Sequence, residues 1–346
     1  MPGKRATRCD DERSRSPGQA VIITRTPLRI SIGGGGTDLP SYYEQRGGFV
    51  ISAAINRYMY IAINPTFTDD YFLKYSALER VSSVEEIDHP IVREALTLHP
   101  IGPSLEIVSL ADIPSGTGLG SSGTFTVGLL RAIYAHLRVP VSSAQSAEEA
   151  CSIEIDRLKR PVGKQDQYIA SFGGLTSFEF ERSGEVEVRP LSIATETMHR
   201  LEEHLVMFFT GYSRAADEVL QEQQTRSEAG EQDMLQNLDF IKELGRTSQG
   251  LLEAGDVEGF ARLMNEHWEH KKRRSVSMSN PAIDRWYEMA MDRGALGGKL
   301  VGAGNGGFLL FYASDVARLR EALSQEGLKE VRFQFDHDGS TVLVRD

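Results

Sequence analysis

The sequence predicts an α+β protein of two unlike domains, and three observations support this. The chain has 346 residues, which is enough for two domains that each bury a substantial core. Its earlier part mixes β-branched, strand-like runs with shorter helical stretches. Long helical stretches dominate from about residue 195. We therefore expect a disordered tail at 1–20, one domain at 21–194 and a second at 195–346, with a binding cleft between them.

The individual elements follow in order along the chain. Strands of the first domain are predicted at 21–32, 48–63, 71–75, 105–113 and within 174–190. Helices of the first domain are predicted at 121–137 and 145–159. The second domain is predicted to contain a strand at 205–210 and helices at 214–228, 230–253 and 256–269. It then ends with a strand, a glycine loop, a strand, a helix and an edge strand.

Composition narrows the possible partners and the compartment. The formal net charge of −11 and the pI near 5.3 argue against nucleic acid or an anionic membrane as the main partner. No apolar run has transmembrane length, and no secretory signal is evident. Cys9 and Cys151 are the two cysteines of the sequence, so a disulfide framework or a cysteine zinc site is not expected. A reducing cytoplasm is the predicted compartment.

The glycine-rich loop at 114–123, PSGTGLGSSG, lies between a predicted strand and a predicted helix. A P-loop is excluded because no Lys follows the glycines. Gly118, Gly120 and Gly123 match GxGxxG, but Pro114 and Ser115 separate the strand from the loop and no second strand ends in an acid near residue 143. The remaining interpretation is a nucleoside triphosphate held by main-chain N–H groups at a helix N-terminus. Taken alone, the loop is equally compatible with a simple glycine-rich turn.

Four side chains could complete a phosphoryl-transfer site. Such a site needs oxygen ligands for Mg²⁺, a cation beside the transferred phosphoryl group and often a carboxylate that accepts a proton. The candidates that supply these groups are Ser122, Glu154, Arg29 and Asp166. Each also has a structural explanation: a helix cap for the serine and for Asp166, a solvated helix face for Glu154, and a strand-edge ion pair for Arg29. Spacing alone does not decide between these interpretations.

Three segments together resemble the motifs of the GHMP small-molecule kinases. They are TPLRISIGGGGTD at 26–38, PSGTGLGSSG at 114–123 and KLVGAGNGGF at 299–308. Within that superfamily, the opening segment and EIDRLKRPVGKQDQYIASFGG at 154–174 are most similar to the heptose 7-phosphate kinases. The resemblance implies an N-terminal ribosomal-protein-S5-like domain 2 fold and a C-terminal ferredoxin-like α+β domain, with the active site in the interdomain cleft.

The resemblance also implies roles for individual residues. Asp166 would be the catalytic base, and Arg29 would orient it and offset charge on the transferred phosphoryl group. Ser122 and Glu154 would ligate Mg²⁺, with ATP as the co-substrate. The residues expected to bind ATP are Pro114, Ser115, Gly116, Thr117, Gly118, Leu119, Gly120, Ser121, Ser122 and Gly123. Those expected to bind the acceptor sugar phosphate are Gly34, Gly35, Gly36, Thr37, Asp38, Lys272, Arg273, Gly304, Asn305 and Gly306.

Two departures from the superfamily pattern bear on the acceptor. Where galactokinase has Gly-Glu-His-Thr-Asp, this chain has GGGTD at 34–38, so we hypothesise room for a sugar that extends beyond C6. Lys272 and Arg273, in the basic run at 270–275, would then bind a phosphate at the far end of that sugar. A solvated helix face is the alternative for this run. The second departure is Asn305, where these kinases commonly carry a small residue.

The expected reaction is transfer of the ATP γ-phosphoryl group to the anomeric hydroxyl of a heptose 7-phosphate. Two other classes stay open at this point. One is a sugar 1-kinase of the fucose or galactose type, against which the glycine run and the basic run both weigh. The other is a non-catalytic sugar or nucleotide sensor, against which the joint presence of Arg29, Ser122, Glu154 and Asp166 weighs.

Overall fold

The structure, a computed structural model, describes residues 21–211, 217–275, 277–304 and 306–345. The predicted tail at 1–20, the first residues of the predicted helix 214–228 and the candidate Asn305 lie outside the described residues. No helix in the described part of the chain is long and apolar enough to cross a membrane.

Twelve strands in the described residues form two sheets. The strands are β1 (Ile22–Gly33), β2 (Gly48–Pro65), β3 (Tyr71–Lys74), β4 (Leu78–Val81), β5 (Leu105–Ala111), β6 (Leu175–Phe180), β7 (Val186–Pro190), β8 (Leu205–Phe209), β9 (Ala295–Leu300), β10 (Phe308–Ala313), β11 (Lys329–Glu330) and β12 (Thr341–Arg345). The larger sheet has the order β12-β1-β2-β5-β3-β4, and β6 and β7 extend it from the first half of β2. The smaller sheet has the order β11-β8-β10-β9.

The helices cover the sheets and connect them. They are α1 (Pro40–Arg46), α2 (Pro90–Leu98), α3 (Ser121–Leu137), α4 (Ser143–Cys151), α5 (Gln165–Phe172), α6 (Thr195–His204), α7 (Asp217–Glu228), α8 (Gln232–Glu253), α9 (Val257–Lys272), α10 (Pro281–Asp292) and α11 (Val316–Gln325). A π-helical turn at Ser152–Arg157 continues α4, where a regular helix to residue 159 is predicted. Asn280 and Pro281 begin α10, because the Asn280 side chain accepts hydrogen bonds from the N–H groups of Ala282 and Ile283.

One continuous apolar core joins the two sheets. Leu28 and Ile30 of β1 are fully buried in it, together with Met207 of β8, Phe260 of α9 and Leu310 of β10. A separate cluster lies beneath α3 on the larger sheet, and another lies between α10, α11 and the smaller sheet. Because the core that contains β1 is shared, the residues of β1 are held in a fixed position relative to the smaller sheet.

The last strand does not belong to the second half of the fold. Strand β12 pairs antiparallel with β1, with Ile22 opposite Arg345 and Arg25 opposite Thr341. The prediction that an edge strand ends the chain is confirmed, but this strand lies at the edge of the larger sheet and not with the other elements of the predicted domain at 195–346. The division near residue 195 stays a prediction for the rest of the chain.

Candidate active site

A cavity of about 1030 Å³ opens where the three glycine-rich segments meet. The first segment contains the end of β1 and the turn after it, the second runs into the first turn of α3, and the third connects β9 with β10. Gly118 has a φ of +85°, and a Cβ there would lie 2.7 Å from the carbonyl oxygen of Val301. A Cβ on Gly302 would collide with the Gly118 backbone, and one on Gly307 with the carbonyl of Thr117. The second and third segments thus touch backbone to backbone, and only glycine permits this approach.

The loop at 114–123 presents part of its length to the cavity. Ser115, Gly116, Gly118, Gly120, Ser121 and Ser122 line it, just before and within the first turn of α3. Gly120, in the left-handed region, is the N-cap and provides no side-chain cap, so the first N–H groups of α3 stay available to a ligand. The other four predicted residues, Pro114, Thr117, Leu119 and Gly123, do not line the cavity. Thr117 instead donates to the Pro114 carbonyl over 2.9 Å, and the Leu119 carbonyl accepts from the Arg29 N–H over 3.1 Å.

Arg29, which is buried, and Asp166, which is half-buried, form an ion pair on the cavity wall. The Nε and Nη2 atoms of Arg29 each lie 2.7 Å from Oδ1 of Asp166, and Nη1 donates to the Gly118 carbonyl over 2.5 Å. Arg29 is 7% exposed, whereas the Asp166 side chain is 28% exposed. Both bonds end on one carboxylate oxygen, so the guanidinium leaves Oδ2 unused. A fixed carboxylate with one oxygen free of the guanidinium is suited to accept a proton.

Ser122 and Glu154 lie side by side. The Ser122 hydroxyl donates to Oε2 of Glu154, while Oε1 accepts from Thr126 over 3.0 Å and from Gln167 over 2.9 Å. Glu154 lies in the π-helical turn and is fully buried. Burial raises the pKa of its carboxyl group, against the opposing influence of these hydrogen bonds and of Arg160. A buried acid in a π-helical turn is a frequent feature of functional sites.

The Ser122–Glu154 pair fits a divalent cation that it shares with a phosphate. Mg²⁺ takes oxygen ligands and commonly binds through one or two protein oxygens together with phosphate oxygens and water. No group of three or more His, Cys, Asp or Glu side chains suited to hold a metal occurs among the described residues. A positive charge already lies here, because Nη1 of Arg160 is 2.6 Å from the Ser122 hydroxyl and 3.1 Å from Oε2 of Glu154.

The first glycine segment supplies Gly35, Gly36 and Asp38 to the cavity. Asp38 is 7% exposed and accepts from the N–H groups of Gly36 and Gln165, over 3.1 and 3.2 Å. Burial, and next the charge of Asp166, raises the pKa of Asp38. Gly34 and Thr37 do not line the cavity, since the Thr37 hydroxyl holds the turn by donating to the carbonyls of Gly34 and Phe49, each over 2.9 Å.

The basic run contributes different residues from those predicted. Lys271 and Arg274 line the cavity, whereas Lys272 and Arg273 do not. Lys272 is ion-paired with Glu269 over 2.8 Å, and Arg273 is exposed. The expectation for Lys272 and Arg273 therefore needs correction, and the physical reason is helical periodicity. Lys271 continues the inner face of α9 that the buried Met264 and Trp268 mark, and Arg274, in the turn just after the helix, lies three residues further on the same side.

Further lining residues were not predicted from the sequence. Lys299 of β9 and His267 of α9 line the cavity beside Lys271 and Arg274. The third segment contributes Gly302 and Ala303, not the predicted Gly304 and Gly306. Lys299 precedes the glycines of its motif by three residues, which is a signal that the sequence contained.

The opposite end of the cavity is apolar and aromatic. It is lined by Met59, Tyr75, His89, Pro90, Ile91, Leu110 and Phe125. His89 stacks on Phe125 with ring centroids 4.8 Å apart, and Tyr75 contacts His89 edge-on at 4.7 Å. Burial lowers the pKa of His89, which favours its neutral form. A flat, uncharged heteroaromatic ring suits this end, and the loop at 114–123 lies next to it.

Known proteins resemble this chain over most of its length. Models of the GHMP kinases N terminal domain and of the GHMP kinases C terminal domain match residues 89–174 and 248–329. A D-glycero-alpha-D-manno-heptose 7-phosphate kinase of Campylobacter jejuni is 32% identical over 92% of this chain and 98% of its own. A galactokinase of Roseiflexus sp. is 28% identical over 88% of this chain and 87% of its own.

Solved structures show the same similarity. The crystal structure of a D-glycero-D-manno-heptose 1-phosphate kinase from Bacteroides thetaiotaomicron superposes with a TM-score of 0.76 and 26% identity. It covers 93% of this chain and 98% of that one.

Proposed function

This chain belongs to the GHMP kinase family, and we propose that it transfers the γ-phosphoryl group of ATP to the anomeric hydroxyl of D-glycero-D-manno-heptose 7-phosphate. The product would be the heptose 1,7-bisphosphate. The observation that carries the proposal is the arrangement in one cavity of the 115–122 loop, the Ser122–Glu154 oxygens and the Arg29–Asp166 pair. An aromatic pocket on one side and basic side chains on the other suit a nucleotide and an anionic acceptor.

In the proposed reaction, Asp166 accepts the proton of the acceptor hydroxyl. The hydroxyl oxygen forms a bond to the γ-phosphorus, the bond from that phosphorus to the β–γ bridging oxygen breaks, and ADP leaves with the electron pair. Arg29 holds Asp166 in place through two contacts of 2.7 Å and adds positive charge next to the reacting groups. The N–H groups of the 115–122 loop and of the first turn of α3 hold the phosphates.

Mg²⁺ is the proposed cofactor, held by the Ser122 hydroxyl and the Glu154 carboxylate. When bound, it neutralises charge on the phosphate oxygens. Gln167 and Thr126 fix the carboxylate of Glu154 by bonds to its other oxygen, over 2.9 and 3.0 Å. Arg160 donates to the Ser122 hydroxyl oxygen and to Oε2 of Glu154, the two oxygens proposed to bind the cation. We therefore propose that its guanidinium moves toward a phosphate oxygen when the cation is held there.

The identity of the acceptor rests on the relatives and on the charge of the cavity. The Campylobacter relative is named for heptose 7-phosphate and the Bacteroides structure for heptose 1-phosphate. A galactokinase-type 1-kinase is the second candidate, favoured by the 28% identity to the Roseiflexus protein. The buried Lys271, Arg274 and Lys299 on the cavity wall favour an acceptor with its own negative charge over a neutral hexose.

The test is turnover of ATP with a panel of acceptors, followed by phosphorus NMR of the product. The panel contains heptose 7-phosphate, unphosphorylated heptose, galactose and fucose. We expect the largest kcat/KM for heptose 7-phosphate, with the new phosphate on the anomeric carbon. A larger kcat/KM for galactose or fucose, or a new phosphate at another carbon, would contradict the proposal, and absence of turnover with every sugar would favour a sensor.

A further inference from the structure

Four basic side chains are buried together beside the Arg29–Asp166 pair. They are Lys271, Arg274, Lys299 and His267, which are 6%, 4%, 2% and 4% exposed. All four line the cavity. Within the part of the chain that the structure describes, none of Lys271, Arg274 and Lys299 forms an ion pair with a carboxylate. Charged groups this deep are normally paired.

Their hydrogen bonds leave donors unused. Arg274 donates through Nε to Asn237 over 3.0 Å and through Nη1 to the Gly35 carbonyl over 3.0 Å, but its buried Nη2 has no partner among the described residues. Both ring nitrogens of the buried His267 also have no hydrogen-bond partner among the described residues. Lys299 donates to the Ile32 carbonyl over 3.2 Å, and Lys271 donates to the carbonyls of Leu300 and Gly302.

The charges of the cluster oppose one another. Burial, and then the charges of Arg274 and Arg29, lowers the pKa of Lys299 to about 7. Burial and the neighbouring cations also lower the pKa values of Lys271 and His267 well below their ordinary range. Burial also lowers the pKa of Arg274, to about 10, although the neighbouring Asp38 and Tyr42 raise it. A dianion next to these groups would reduce their mutual repulsion and would accept hydrogen bonds from the unused donors.

We propose that Lys271, Arg274 and Lys299 form a subsite for a phosphate group on the acceptor substrate. This inference rests on the proposed sugar kinase function and names where the acceptor's own phosphate binds. The proposed site of the ATP phosphates is the 115–122 loop, whereas the hydrogen bonds of the cluster run to residues 32 and 35 of the first glycine segment and to 300 and 302 of the third. His267, which is neutral, adds one ring N–H that can donate to a phosphate oxygen.

Gly36 is what allows Arg274 to reach this position. Its φ is +98°, and a Cβ there would collide with Nη1 of Arg274 and lie 3.0 Å from Oε1 of Gln223. Gln223 itself donates to the Gly36 carbonyl over 2.8 Å and accepts weakly from Arg274 over 3.4 Å. The glycine run therefore admits a guanidinium from the second half of the fold.

The experiment measures inorganic phosphate binding by calorimetry to protein saturated with a non-hydrolysable ATP analogue, which fills the ATP cradle. The variants are Arg274→Met and Lys271→Met, with Lys272→Met as the matched control on the same helical turn but outside the cavity. Two variants are needed because Arg274 also holds Gly35 and Asn237. We expect wild type to bind phosphate, each cavity variant to lose about ten- to a hundredfold in affinity, and the control to match wild type.

Kinetics separate the acceptor phosphate from the ATP γ-phosphate. Inorganic phosphate should inhibit competitively against heptose 7-phosphate and not against ATP. Competition against ATP, no phosphate binding by wild type, or equal affinity in all four proteins would overturn the subsite. If wild type turns over no heptose 7-phosphate, the proposed function fails, while the calorimetry still decides whether the cluster binds phosphate.

Discussion

Replacement of Lys299 by Met removes a charge that the fold holds in an unfavourable place. Lys299 is 2% exposed, and its pKa falls from an ordinary 10.5 to about 7, first through burial and then through Arg274 and Arg29. At about 1.4 kcal/mol for each tenfold change in proton affinity, this fall corresponds to roughly 5 kcal/mol of destabilisation when the amine is charged. The substitution also removes the hydrogen bond to the Ile32 carbonyl, which reduces the expected gain in stability by about 1 kcal/mol.

The gain in stability should depend on pH in a defined direction. Below pH 7 the amine is protonated in both the native and the unfolded state, so wild type bears the full destabilisation. Between about pH 7 and 10.5 the native amine is neutral while the unfolded chain still binds the proton, so wild type becomes more stable as the pH rises. The free energy of unfolding of Lys299→Met should therefore exceed that of wild type by roughly 4 kcal/mol at pH 6. At pH 9 this difference should be smaller by about 2 to 3 kcal/mol.

Urea unfolding at pH 6, 7.5 and 9 measures this difference. Lys272→Met is the control, because its ammonium group is ion-paired near the surface and its removal should change stability by less than about 1 kcal/mol at every pH. A difference between Lys299→Met and wild type that is the same at pH 6 and pH 9, or that has the opposite sign, would refute the reasoning. In either case Lys299 would not be a buried, destabilised charge.

Three other substitutions, one of them with a matched control on helix α8, test the remaining parts of the site. Asp166→Asn should lower kcat by about 10²- to 10⁴-fold with little change in ATP affinity. The reason is that the proton acceptor is lost while the Arg29 side chain and the loop stay in place. Near wild-type turnover would show that Asp166 is not the base. Glu154→Gln should weaken Mg²⁺ binding about tenfold or more. Calorimetry on protein saturated with a non-hydrolysable ATP analogue measures this affinity. An unchanged affinity for Mg²⁺ would remove Glu154 from the proposed ligand set. Gly118→Ala should destabilise the protein by roughly 2 kcal/mol, because φ is +85° and the new Cβ would lie 2.7 Å from the Val301 carbonyl oxygen. Gly250→Ala, in open space on helix α8, should be neutral or stabilising by about 1 kcal/mol; equal effects of the two alanines in urea unfolding would contradict the account of the backbone contact.

Elements with a strong local pattern could be predicted from the sequence, and elements defined by distant contacts could not. Strands β1 and β2 and helices α3, α8 and α9 lie close to their predicted ranges, because each combines apolar periodicity with clear turn residues at its ends. Strand β12 lies in the larger sheet through pairing with β1, which no local pattern encodes. The π-helical turn at Ser152–Arg157 has the same apolar spacing as the regular helix predicted there, so periodicity does not distinguish the two.

The first glycine run shows why the acceptor side of the site could be predicted only in part. Two side chains are missing at Gly35 and Gly36 relative to the galactokinase pattern, and from sequence alone the vacated space suggests a larger sugar. In the structure, Arg274 donates to the Gly35 carbonyl, and its Nη1 lies too close to Gly36 for that residue to carry a Cβ. The pattern that carries an acidic and an imidazole side chain is thus replaced by a guanidinium from another element. The substitution makes the local charge more positive, which suits an acceptor with a phosphate group better than added volume alone would.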